Sequence, residues 1–317
     1  MKALVHDVYG EADVLSLQEI EQPAVGEKDV LVRVRAAGVD QGVWHLMSGQ
    51  PLVVRAAVGL RKPRSRLSGM DLAGEVEQVG RAVTTVKPGD RVFGVGTGTF
   101  AEYALSRPER LERMPANVSY EQAAAVPVSG VTALQALRGR LGVHDDVLIL
   151  GAAGGVGSFA VQVARAFGAT VTGVCSAGKV EFVRGLGAER VIDYQSEAVT
   201  GAYDLILDTA GNRPLSTLRA LLKPRGTLLL IGGEGGGPWL GGLDRSLRAM
   251  LLSPFTRHKL VPVLAVNKQA DLRELREMIE SGQIVPAVDR TFALAEGADA
   301  IRYMRSGRVR GKTVITI

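Results

Sequence analysis

The run Val147-Leu148-Ile149-Leu150 passes straight into Gly151-Ala152-Ala153-Gly154-Gly155-Val156-Gly157 and then into a helix-like stretch, Ser158 to Phe167. A short apolar strand closed by glycines and followed by a helix is the context that a dinucleotide-binding fingerprint requires. Such a turn brings backbone close to a pyrophosphate at Gly154 and Gly155, with Ala153 and Val156 beside them, while Gly157 lets the helix lie tight against the strand. The helix N-terminus then offers unpaired N–H groups and a partial positive charge to phosphate oxygens. The plainer alternative is a tight turn that binds nothing, and the sheet pattern around it argues against that.

Three further apolar runs, Thr170 to Val174, Leu205 to Leu207 and Thr227 to Ile231, alternate with helical stretches. Runs apolar on both faces and joined by crossovers are what a buried parallel sheet needs, so this part reads as a doubly wound α/β unit. Upstream, Val30 to Ala36, Gly74 to Val79 and Arg91 to Val95 are strand-like, with a turn signal at Lys87-Pro88-Gly89-Asp90, and imply an antiparallel, barrel-like domain. Tyr120 to Ala125 and Val131 to Leu137 read as helices separated by Pro127 and Gly130. After about 257 come an amphipathic helix, Asp271 to Ser281, and strand-like Val288 to Ala293 and Lys312 to Ile317, which look like a return to the first domain. The expected division is therefore 1–120, 121–257 and 258–317, and 317 residues are more comfortable in two cores than in one.

Composition narrows the function. With 46% apolar and 22% charged residues the chain is a globular protein, not a disordered or fibrous one. Its net charge of +5 is spread along the chain, and the densest basic stretch, with Arg61, Lys62, Arg64 and Arg66, has no interleaved aromatics. That reads as a solvated loop, so no nucleic-acid partner is expected. A single cysteine, Cys175, excludes an intramolecular disulfide and suits a reducing compartment. No leader-like segment opens the chain and no apolar run approaches membrane-spanning length, so a cytoplasmic protein without a membrane anchor is expected.

The end of the second strand of the α/β unit selects the cofactor. NAD enzymes place a carboxylate there, on the ribose 2′-hydroxyl. Here Gly173 to Lys179 holds no acid, and none occurs between Asp146 and Glu181. A 2′-phosphate would meet the Ser176 hydroxyl and the Lys179 cation instead, which favours NADP(H).

Several segments, taken in order, resemble the zinc-free quinone oxidoreductases of the medium-chain dehydrogenase/reductase superfamily and their alkenal and enone reductase relatives. They are Gly38-Val39-Asp40, Gly69 to Gly74, Lys87 to Val92, Gly98 to Tyr103, Ala123 to Thr132, the glycine turn, Gly185 to Tyr194 and Gly311 to Val314. The resemblance implies a GroES-like catalytic domain, a Rossmann domain, a cofactor and substrate cleft between them, and a homodimer. It also implies Lys179 and Tyr194 at the adenosine phosphate end and Thr132 near the nicotinamide. Ala210, within Asp208 to Gly211, and Ile231, Gly232 and Gly233 then lie in loops at later strand ends. In zinc-dependent members a cysteine and a histidine stand where Asp40 and Met70 stand here, and methionine is a poor zinc ligand, so no metal is expected.

Without a Lewis acid, a quinone or an α,β-unsaturated carbonyl is the natural acceptor, because conjugation spreads the incoming charge. The resemblance puts Asp40, Trp44 and His45 at the substrate wall. Trp44 could stack on a flat ring and His45 deliver a proton, or both could be packed side chains; the residues leave this open. Asp71 reads as a structural acid.

Overall fold

The computed structural model describes residues 1–232 and 237–317. In chain order the first six strands are β1 Lys2–Val5, β2 Ser16–Glu19, β3 Val30–Val39, β4 Asp71–Val79, β5 Arg91–Thr97 and β6 Tyr103–Arg113. The next six are β7 Asp146–Leu150, β8 Thr170–Cys175, β9 Arg190–Asp193, β10 Tyr203–Asp208, β11 Leu222–Leu230 and β12 Lys259–Pro262. Two more follow, β13 Val288–Ala293 and β14 Lys312–Thr316.

These strands sort into two compact units. One comprises Met1–Val131 with Val266–Ile317 and the other Thr132–Ala265. In the first, β3 to β6 pair antiparallel in sequence order, and β3 also pairs β6, from Val30 on Ser106 to Arg33 on Tyr103, which closes them into a barrel. The last strand returns here as expected: β14 runs antiparallel to β3, and β13 lies parallel to β14 on its outer side. Inward residues such as Val32, Val34, Leu72, Val92, Phe100 and Ile315 form its core.

The second unit is a wholly parallel six-stranded sheet in the order β12-β11-β10-β7-β8-β9. The chain starts at β7 and winds outward first one way and then the other, so β7 and β10 flank the point where ligands bind in doubly wound sheets. Fold class is thus a GroES-like antiparallel domain plus a Rossmann domain. The strand β12 carries the second unit past the expected boundary at 257, because a short edge strand leaves only a weak hydrophobic signal.

Pro127 and Gly130 lie inside one helix, Pro127–Leu137, where a break was expected. Proline is at home at a first helical position, since its missing N–H has no partner to lose. Gly130 belongs to packing: a Cβ there would stand 3.1 Å from Val126 and 3.2 Å from Leu275. Among the described residues no helix is long and apolar enough to cross a membrane.

Candidate functional site

The glycine turn leaves β7 at Gly151, whose φ of 76° only glycine adopts without strain. Its N–H and that of Ala152 both donate to Val174 O, at 3.2 and 3.1 Å, tying the turn to the end of β8. Gly154 is extended and caps the helix Gly155–Ala166. A Cβ on Gly157 would lie 2.1 Å from Gly151 O, so helix and turn are in backbone contact there. The first N–H of this helix to find an acceptor is that of Ser158, on Gly154 O at 2.9 Å. Those of Gly155, Val156 and Gly157 have none among the described residues, and they make a ready anion cradle. Ala153, in the same turn, is buried.

The neighbouring strand ends complete the rim. Leu150 of β7 pairs with Val174 of β8, so Ser176 and the turn Ala177–Lys179 follow directly beside the glycine loop. Tyr194, just past β9, donates its N–H to Cys175 O at 3.1 Å and is half exposed. On the other side Thr209 Oγ1 donates to Leu150 O at 2.7 Å. The fully buried Asp208 accepts from the N–H groups of Ala210 (3.2 Å) and Gly211 (3.0 Å) and pairs with Arg245 at 2.5 Å. Its carbonyl oxygen accepts from Ile231 and Gly232, at 3.0 and 3.1 Å. The sheet thus brings the turn, Ser176, Lys179, Tyr194, Ala210, Ile231 and Gly232 to its carboxyl end. Gly233 lies outside the described residues, and Thr132 is buried in the Pro127–Leu137 helix. Sequence reasoning missed the Asp208–Arg245 pair, since nothing in the spacing of residues 37 apart announces a contact.

In the barrel unit the expected substrate wall is arranged differently. Asp40 caps the helix Gln41–Ser48, its Oδ1 accepting from Val43 N at 3.2 Å, which is a structural use of the carboxylate. Trp44 is only 7% exposed, donates Nε1–H to Glu11 at 2.9 Å and carries the Arg305 guanidinium 3.8 Å above its ring. Its ring is therefore packed, and no face is left for an acceptor to stack on. His45 Nδ1 bonds Gln50 O at 2.7 Å and its ring stands edge-on to Trp44, so it is held by its own loop.

Met70 lines a cavity of about 260 Å³ in this unit, together with His6, Met47 and Ser68, and neither Asp40, Trp44 nor His45 does. Next to Met70, Asp71 is fully buried, accepts from Val128 N at 3.0 Å and pairs with Lys312 at 3.2 Å; Lys312 also reaches Ser129 Oγ at 3.3 Å. Burial pushes the Asp71 carboxyl up to about 7, with the Lys312 charge opposing and the Asp40 charge adding to the rise. The pair pins β4 and the terminal β14 to the start of the Pro127–Leu137 helix.

Two family models match: an alcohol dehydrogenase GroES-like domain over residues 26–116 and a zinc-binding dehydrogenase over 186–315. A chloroplastic quinone oxidoreductase of Triphysaria versicolor is 30% identical over 99% of this chain and 98% of its own. The chain belongs to the quinone oxidoreductase branch of the medium-chain dehydrogenase/reductase superfamily. Among solved structures, the quinone oxidoreductase of Coxiella burnetii superposes on this branch member with a TM-score of 0.88 at 28% identity, covering 100% of this chain and 99% of that one. A mycobacterial protein solved with NADPH gives 0.84 at 26% identity, each chain covered in full. Although the second family model bears zinc in its description, the positions that resemble zinc ligands hold Asp40 and Met70 in this medium-chain oxidoreductase. Among its described residues no group of three His, Cys, Asp or Glu side chains is placed to hold a metal ion.

Proposed function

We propose that this oxidoreductase passes a hydride from NADPH to a quinone or another conjugated carbonyl and needs no metal to do so. The observation that carries the reading is the open cradle at the Gly155–Ala166 helix beside Ser176 and Lys179, with no carboxylate at the end of β8. The names of the relatives support it, one a quinone oxidoreductase and one a structure holding NADPH. The three N–H groups of the helix start would bind the pyrophosphate, Lys179 and Ser176 the 2′-phosphate, and Tyr194 would flank the adenosine. Thr132, Ala210 and the Ile231 to Gly233 segment are the residues we assign to the nicotinamide half. NADPH supplies the hydride when bound. Asp40 and Met70 offer no Lewis acid, so the charge arriving on the acceptor has to be spread by conjugation.

NADPH consumption against a panel of quinones and a panel of enones tests the reading. Turnover of quinones supports it, and turnover confined to enones turns the protein into a double-bond reductase. NADPH binding without turnover of either would make it a regulatory or RNA-associated NADPH-binding protein. Activity should survive a chelator, with no stoichiometric zinc by elemental analysis; loss restored specifically by zinc would overturn the metal-free reading.

Lys179→Ala is expected to weaken NADPH binding about 10- to 100-fold, the worth of one charge-assisted bond, and to leave NADH binding nearly unchanged. Equal weakening of both cofactors in a titration would remove Lys179 from the 2′-phosphate.

The assembly we propose is a homodimer. The strand β12 is one of the two open edges of the parallel sheet, and beside it Leu247, Met250, Leu251, Phe255 and Leu264 are all more than half exposed. An unpaired edge flanked by exposed apolar side chains is unstable against association unless it is covered. Light scattering should find a particle of twice the chain mass, and Leu251→Glu with Phe255→Glu should halve it. A monomeric parent, or a double variant that stays dimeric, would reject this surface.

A further inference from the structure

The cavity in the barrel unit carries the strongest unassigned chemistry. Its walls are apolar, with Val43, Met47, Val58, Leu67 and Met70, and it holds about 260 Å³, just under the roughly 300–1,000 Å³ of sites for drug-sized ligands. It is built from distant segments: Val5 bridges to Leu67, and His6 N–H donates to Arg66 O at 2.9 Å, which brings His6 and Ser68 to the same wall.

Of its polar residues, Thr97 is exposed and Ser65 Oγ is engaged on the backbone of Leu67. His6 is only 4% exposed, and its Nδ1 lies 3.3 Å from Val8 O. A carbonyl oxygen can only accept, so Nδ1 carries the hydrogen and Nε2 keeps its lone pair. Burial lowers the His6 pKa, so this neutral form is the one present near pH 7. Nε2 has no partner among the described residues. Ser68 Oγ is buried and likewise unpartnered, a costly state for a hydroxyl, and rotation about its single χ1 angle is enough to redirect it.

We propose that this cavity is the site for the acceptor itself, a one-ring quinone and its hydroquinone, with Ser68 donating to a ring oxygen and His6 Nε2 accepting from the hydroquinone hydroxyl. The choice of ligand rests on the reductase reading above, whereas the site can be tested without turnover.

The probe is methylhydroquinone, added under nitrogen to the full chain without cofactor. In methyl-labelled protein the Met47 and Met70 signals should shift, and calorimetry should give a Kd that weakens about five- to tenfold in Ser68→Ala and in His6→Phe. A three-ring hydroquinone should leave both signals in place. Unmoved methionine signals, parental affinity in the two variants, or equal binding of the three-ring probe would each overturn the site. Because His6→Phe replaces a buried residue, circular dichroism checks its fold, and the methionine signals of the unmodified protein decide the matter if it fails. Binding of the probe without NADPH-dependent turnover of any quinone would sink the reductase reading and leave the site. Turnover of one-ring quinones with unmoved signals and an unchanged KM in Ser68→Ala would do the reverse.

Discussion

Lys312→Met is expected to destabilise the protein by about 3–5 kcal/mol above pH 8, because it strands the Asp71 carboxylate in a fully buried position. The penalty should shrink on acidification, and the sign follows from the raised pKa. The folded value of about 7 lies above the ordinary 3.8, so the folded state holds this proton more tightly than the unfolded chain. Its contribution is fully present below about pH 4 and is lost as pH rises through 7. Removing Lys312 takes away the cation that holds the pKa down, so the variant suffers most where the parent carboxyl is ionised and least where it is protonated. Adding Asp71→Asn should recover most of the loss, since the amide still accepts from Val128 N without a charge. Urea melts from pH 5.5 to 8.5 measure all three. A penalty that is flat across that range would mean the pair is held by packing alone.

Gly155→Val should reduce NADPH affinity by well over ~100-fold and leave the fold intact. Two or more N–H contacts to phosphate, at roughly 1.5–3 kcal/mol each, depend on the ligand reaching this turn. Gly155 is the first residue of its helix and is not among the glycines with positive φ. The loss should therefore come from the side chain filling ligand space, and helix propensity changes little from glycine to valine. Gly157→Ala is the opposite case, because its Cβ meets Gly151 O at 2.1 Å and the turn itself must shift. Circular dichroism and calorimetry separate the two. A folded Gly155→Val variant that binds NADPH as the parent does would remove the glycine turn from the cofactor site.

What the chain's own pattern determined is what local physics writes into neighbouring residues. Central strands buried on both faces are continuous apolar runs, so β7, β8, β10 and β11 were legible. The half-buried edge strands β9 and β12 and the helix Gln41–Ser48 were not. The glycine turn was legible because its demands fall within seven consecutive residues. The missing acid after β8 could be read for the same reason. Tertiary structure alone decided everything that depends on pairing across the chain. Trp44 and His45 looked available because the residues that occupy them, Glu11 and Arg305 for the one and Gln50 for the other, are assigned by packing. Likewise Asp71 finds Lys312 only when β14 returns to β3, and His6 meets Ser68 only through the bridge from Val5 to Leu67. Side-chain periodicity records which way a residue faces, and only the register between distant segments records what it faces.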